Sequence, residues 1–205
     1  MGHDHRPLMG RTEGTRMEFS VSSYFDHLSH MMGELDHASL ENAISLIQKS
    51  WADGKKIIVC GNGGSAVTAS HYINDWNKMA YLSTGKPFRG HCLSDNMGLM
   101  TAYSNDMSYD DVYSEQLKNL MDSGDLVIVV SGSGNSENVV RALEFANQSG
   151  GVTLAICGYD GGKVKNLAQH SLWIPSFDMQ ICEDLHFIFG HMVMKSLCGD
   201  HIRTG

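Results

Sequence analysis

Apolar residues recur at three- and four-residue spacing twice near the start of the chain. In SSYFDHLSHMMGELD they are Tyr24, Leu28, Met31, Met32 and Leu35; in SLENAISLIQKSWADG they are Leu40, Ala43, Ile44, Ile47 and Trp51. The spacing predicts two amphipathic helices, the second closed by Gly54. After Gly54 the pattern alternates. Short apolar runs (KKIIVCG, DLVIVVSGSG and VTLAICG) are separated by segments of helical period (SAVTASHYINDWNKMAY, DDVYSEQLKNLM and NSENVVRALEFANQSG). FRGHCLS and HSLWIPS read as further strands, MGLMTAYSN and GKVKNLAQ as short helices, and DMQICEDLHFIFGHMVMKSLCGD as a long terminal helix.

Strands without a polar face need cover on both sides, and helices between successive strands supply it while keeping the strands parallel. The expected fold class is therefore α/β, a doubly wound parallel sheet with two extra amino-terminal helices. Ligands of such sheets bind beyond the carboxyl ends of the strands. The loops at Gly61, Ser94, Ser131 and Gly158 thus become the expected wall of a site.

Composition narrows this picture. A chain of 205 residues, 42% hydrophobic and 19% charged, suits one globular domain, expected over residues 21–205. Residues 1–20 carry Gly, His, Arg and Thr without an apolar run, which predicts a disordered tail or a cloning remnant and not a secretory signal. Nowhere do about 18 apolar residues run together, so no membrane span is expected. The five cysteines are odd in number, several lie in apolar runs, and none forms a CxxC pair. Reduced, core-packed thiols in a soluble cytoplasmic protein are the expectation. A net charge of -8 disfavours nucleic acid as a partner and leaves local dipoles to hold any phosphate.

Two turns carry candidate chemistry. GNGGS, Gly61 to Ser65, follows the first strand and opens a helix, where unpaired N–H groups and the helix dipole can face an anion. It fits GxGxxG poorly, no acidic residue follows at the spacing of a ribose contact, and there is no Gly-Lys-Ser/Thr of a P-loop. Taken alone, it is equally a turn that serves geometry. SGSGNSEN occupies the equivalent place after DLVIVV and supplies Ser131, Ser133 and Ser136 around Gly132 and Gly134. Ser136 alone would be a helix cap. Three hydroxyls exceed what capping requires and, with the free N–H groups of the next helix, suit a phosphate monoester.

Ionisable residues cluster beyond these turns. His71 and Asp75 stand at i and i+4 and share a helix face, while the terminal helix offers Glu183, Asp184, His186 and His191. Single histidines on mixed helices are usually structural. Imidazoles and carboxylates on helices that converge over strand ends nonetheless form a zinc-type set.

The stretches GNGGSAVTASH, YSNDMSYDDVYSEQL, GDLVIVVSGSGNSENVVRALEFA, CGYDGGKV and EDLHFIFGH follow one another in the order and spacing of the sugar isomerase (SIS) domain. From about Ser22 to Cys198 the chain resembles the phosphoheptose isomerase branch of that family. The resemblance implies a flavodoxin-like five-stranded parallel sheet, a homotetramer with the amino-terminal helices in its core, and sites shared between subunits. It implies an aldose–ketose isomerase converting sedoheptulose 7-phosphate to D-glycero-D-manno-heptose 7-phosphate, for cell-surface polysaccharide or a secondary metabolite. It further implies a divalent metal, usually zinc, at the positions of His71, Asp75, Glu183 and His191, with the carboxylate at 75 as base and His191 as acid. Asn62, Gly63, Gly64, Ser65, Asp106, Ser131, Gly132, Ser133, Ser136 and Gln180 fall at or beside the implied substrate contacts.

Several positions depart from the family pattern. Asp75 stands where the family has Glu, Glu183 where it has Gln, Gln180 for an Asp, Gly132 for a Thr and Met79 for an Arg. A carboxylate one methylene shorter retracts by roughly 1 Å, a displacement that can cost about a hundredfold in rate. Glu183 could compensate as a ligand or as the base itself. The changes at 79 and 180 leave room for a different phosphosugar. A non-catalytic SIS module that binds a sugar phosphate or a protein partner is the reading from another class.

Overall fold

The computed structural model describes residues 19–199, so the tail assigned to residues 1–20 lies, up to residue 18, outside the described residues. Two helices, α1 (Val21–Glu34) and α2 (His37–Ala52), precede β1 (Ile57–Gly61) and α3 (Gly64–Thr84). Then come β2 (Gly90–Cys92), α4 (Met97–Asp106), a 3₁₀ turn (Tyr109–Asp111), α5 (Val112–Leu120), β3 (Leu126–Ser131) and α6 (Glu137–Gln148). The chain continues through β4 (Val152–Cys157), α7 (Gly162–Leu167), β5 (His170–Trp173) and α8 (Met179–Cys198).

The strands form one sheet in the order β2-β1-β3-β4-β5, every neighbouring pair parallel. The expected α/β class and doubly wound order are both present. Every residue of β1 and β3 is buried, as strands covered on both faces require. Alternation along the strands divides the core in two. Ile57, Val59, Leu126, Ile128, Val130, Leu154 and Ile156 pack under α2, α3 and α8. Ile58, Cys60, Val127, Val129, Ala155 and Cys157 face α5, α6 and α7. Cys60, Cys157, Cys182 and Cys198 are buried free thiols, and burial pushes the Cys157 thiol up to about 12.

Both amino-terminal helices begin where the pattern places them, with side-chain caps from Ser20 and Asp36. Met31 of α1 packs with Ile181, Cys182 and Leu185 of α8, joined by Tyr24, Leu28 and Leu35. Met32 turns outward instead, 40% exposed, and Phe25 is 60% exposed, so part of the apolar pattern of α1 is left uncovered by the described residues. No described helix is long and apolar enough to cross a membrane.

β1 and β3 are neighbours whose connections leave in opposite directions, β1 to β2 on one side and β3 to β4 on the other. This is the topological switch point, where a crevice opens beyond the strand ends. GNGGS follows β1 and SGSGNS follows β3, so the sheet order brings the two turns side by side.

Candidate active site

The two turns and the start of α8 enclose a cavity of about 290 Å³ lined by Asn62, Gly63, Gly64, Ser65, Ser131, Gly132, Ser133, Ser136, Met179 and Glu183. Gly63 adopts φ 53°, a conformation that favours glycine, and α3 starts behind it without a side-chain cap. The start of α6 likewise has no side-chain cap from Ser136. Two helix starts without an N-cap side-chain bond therefore point towards one cavity, although the Val139 N–H of α6 is taken by Asn138 Oδ1 at 2.9 Å. Ser131 Oγ accepts the Gly134 N–H at 3.1 Å, which orders the serine turn and leaves the hydroxyl hydrogen available to donate.

Asn62 is held by a network that the sequence does not announce. Its Nδ2 donates to Asn138 Oδ1 at 2.8 Å, and Asn138 Nδ2 donates back to Asn62 Oδ1 at 3.0 Å. The hydroxyl of Tyr109 donates to the same Oδ1 at 2.9 Å, and that of Tyr113, which donates to the Gly61 carbonyl, lies 3.1 Å from it. Asn138 is 1% exposed, and an amide in the first turn of an amphipathic helix, directly before the apolar Val139 and Val140, was the available signal.

Further along α3 and α8, three side chains converge. His71 Nε2 lies 3.1 Å from His191 Nε2 and 3.2 Å from Asp75 Oδ2, and His191 Nε2 lies 3.8 Å from the same oxygen. Phe187 stacks on the His71 ring with centroids 4.4 Å apart and meets His191 edge to face at 5.1 Å, so one aromatic ring orients both imidazoles. A tetrahedral ion held at about 2.1 Å separates its ligand atoms by about 3.4 Å. The three observed spacings bracket that value, and two imidazoles with one carboxylate form a donor set of zinc type with room for a further ligand. Asp75, although short, reaches both imidazoles.

Of the four residues nominated as ligands, the structure brings three together; Glu183 is the exception. α3 and α8 run parallel, with Gly64 facing Glu183, Tyr72 facing His186 and Trp76 facing Gly190. Glu183 is therefore level with the start of α3, and eight residues of helical rise, roughly 12 Å, separate it from His191. Its carboxylate lies against Gly64, 2.6 Å from where a Cβ would stand. The expected compensation for a short Asp75 is not built within this chain. Asp106, at the end of α4, and Gln180, in the first turn of α8, are exposed and do not line the cavity. Asp184 accepts the Tyr24 hydroxyl at 2.6 Å, tying α1 to α8. His186 is fully buried, its ring nitrogens meet no partner at hydrogen-bonding geometry among the described residues, and burial pushes it down to about 4, the nearby Cys157 carbonyl pulling it back by less. It is a neutral core residue.

A second, broader concavity of about 540 Å³ runs along α3 past Ala66, Ser70, His71 and Asn74 to Ser94 and Asp95. Gly64, His71 and Asp75 share one face of α3, so the glycine–serine cradle and the His/Asp/His group lie on one stripe about two turns apart, roughly 10 Å.

A parallel sheet whose switch point gathers two uncapped helix starts, next to a metal-type group, defines an α/β protein built to hold a small anionic ligand. The SIS domain family matches residues 23–158. The chain is 36% identical over 156 residues to a phosphoheptose isomerase of Aliarcobacter butzleri, covering 76% of this chain and 82% of that one. It is 33% identical over 173 residues to a phosphoheptose isomerase of Citrifermentans bemidjiense, covering 84% and 89%. Solved phosphoheptose isomerases from Francisella tularensis and Neisseria gonorrhoeae superpose with TM-scores of 0.78 and 0.79 at 25% and 26% identity. Each match covers 86% of this chain, with 95% and 96% of the solved chains. The chain belongs to the SIS domain family, within its phosphoheptose isomerase branch.

Proposed function

We propose that the protein is a phosphoheptose isomerase that interconverts sedoheptulose 7-phosphate and D-glycero-D-manno-heptose 7-phosphate. The observation that carries this reading is the placement of a phosphate-sized cradle and an acid–base group on one stripe of α3, two turns apart. A ligand with phosphate at one end and a carbonyl at the other meets both.

In this mechanism the N–H groups at the starts of α3 and α6, with Ser65, Ser131, Ser133 and Ser136, hold the phosphate. Asn62, fixed by Asn138 and the two tyrosines, orients the sugar chain. Asp75 removes the proton from the carbon next to the carbonyl, and His191 moves a proton between the oxygens of carbons 1 and 2. Both groups work at one place because Phe187 holds the imidazoles against Asp75. A divalent cation held by His71, Asp75 and His191, zinc by the donor chemistry, would polarise a substrate oxygen.

The exposed Phe19, Val21, Phe25 and Met32 of the amino-terminal region support burial of α1 in a homotetramer. Sedimentation equilibrium is expected to give four chains per particle, and a monomer would overturn that assembly. A cytoplasmic location and supply of heptose to surface polysaccharide complete the reading, as the resemblance implies.

Turnover of sedoheptulose 7-phosphate in deuterated water tests the activity. Deuterium is expected at carbon 2 of the aldose, because the proton removed exchanges with solvent on the base. Absence of turnover on any phosphoketose, with zinc bound, would sink the enzyme reading.

A further inference from the structure

Among the described residues, Glu183 is the one charged side chain that lines the glycine–serine cavity. It lies where the anion is expected. Its two carboxylate oxygens stand 2.6 and 2.9 Å from the position a Cβ on Gly64 would take, at the uncapped start of α3. Among the described residues, no lysine, arginine or histidine lines the cavity to offset it. A carboxylate at a helix start is favourable for the dipole, and for the same reason it competes with any other anion brought to those N–H groups.

We propose that Glu183 determines the charge preference of the cavity, acting as a built-in competitor that lowers its affinity for a free phosphate dianion. Binding energy must then come from contacts along the sugar chain as well as from the phosphate, so bare phosphate is a poor occupant. Glu183 is on this account a specificity-determining residue and not a ligand of its own chain's His71, Asp75 and His191 group, from which it is separated by two turns of α8. Gly64 belongs to the same device, because a larger residue there would displace the carboxylate. The inference rests on the cavity being the phosphate site proposed above.

Titration calorimetry of the purified protein with inorganic phosphate tests it. Glu183→Gln keeps the shape of the side chain and removes its charge. Like charges held a few ångströms apart near a protein surface set the scale, and phosphate should bind Glu183→Gln at least about tenfold more tightly than the parent. Repulsion is screened by salt, so the ratio of affinities should shrink between low salt and about 1 M, which a purely structural effect of the substitution would not do. Equal or weaker phosphate binding by the variant, with an unchanged unfolding temperature, overturns the proposal and leaves the phosphate site standing. Failure of both proteins to bind phosphate at any attainable concentration overturns the site reading and this proposal together.

Discussion

Asp75→Asn is expected to lower isomerase turnover by about two to four orders of magnitude, the range usual for loss of a positioned general base. The substitution keeps the volume and a hydrogen-bonding oxygen, so the His71–Asp75–His191 group retains its packing while losing the carboxylate that lies within 4 Å of both imidazoles. KM should change little, since the phosphate is held elsewhere, by the helix starts and serines of the cradle. A fall in kcat with an unchanged KM marks an interaction made in the transition state and not in ground-state binding. Asp75→Glu is the informative companion. It extends the carboxylate by one methylene at a point where the present side chain already meets both rings. If the short carboxylate is correctly seated, the longer one should cost activity; if the site is stretched around it, activity should rise. Steady-state kinetics on sedoheptulose 7-phosphate read all of these. A kcat for Asp75→Asn within a few-fold of the parent would remove Asp75 from the role of base.

The separation between cradle and acid–base group also explains what could be read from the chain and what could not. β1 and β3 were legible because IIVCG and LVIVVS are apolar up to their last residue and rich in branched side chains, as strands covered on both faces are. The helix starts at Gly64 and Glu137 were legible from the glycine and serine turns before them. His71 and Asp75 announced themselves by their i, i+4 spacing, since one helix decides that contact. Glu183 did not. Its position on α8 is plain from the sequence, but the level of α3 that it faces is set by how the two helices are staggered. That stagger depends on contacts more than a hundred residues apart, such as the Trp76 Nε1 bond to the Gly190 carbonyl at 3.0 Å. Asn138 and Tyr113 were missed for a related reason: each looks like an ordinary residue of its helix until the sheet order brings it to Asn62. Exposure of Met32 and Phe25 has the same origin, because periodicity shows that a face is apolar without showing which chain covers it.

Gly190→Ala should destabilise the fold and impair the site together. A Cβ on Gly190 would stand 2.2 Å from Tyr72 Cε1 and 2.4 Å from Cδ1. Tyr72 has nowhere to go: it is fully buried, stacked on Trp76 with centroids 4.8 Å apart, and its hydroxyl donates to the His186 carbonyl. In an open helix the change would gain about 1 kcal/mol from the better helix propensity of alanine. Overpacking a rigid core costs about 1 to 3 kcal/mol, and contacts this short against an immobile ring belong at or above the upper end. The net loss should be about 2 kcal/mol, a fall of roughly 4 to 8 °C in unfolding temperature for a chain of this size. Because the strain is relieved by moving α8 away from α3, His191, the next residue, moves away from His71 and Asp75. Zinc affinity and kcat should therefore fall with stability, although residue 190 touches neither ligand nor substrate. Adding Tyr72→Leu should recover part of both losses, since the second substitution removes the ring that the new methyl meets, and the two effects should be far from additive. An unchanged or raised unfolding temperature for Gly190→Ala would show that α3 and α8 are not locked at this level, and with it would go the stagger that sets Glu183 opposite Gly64.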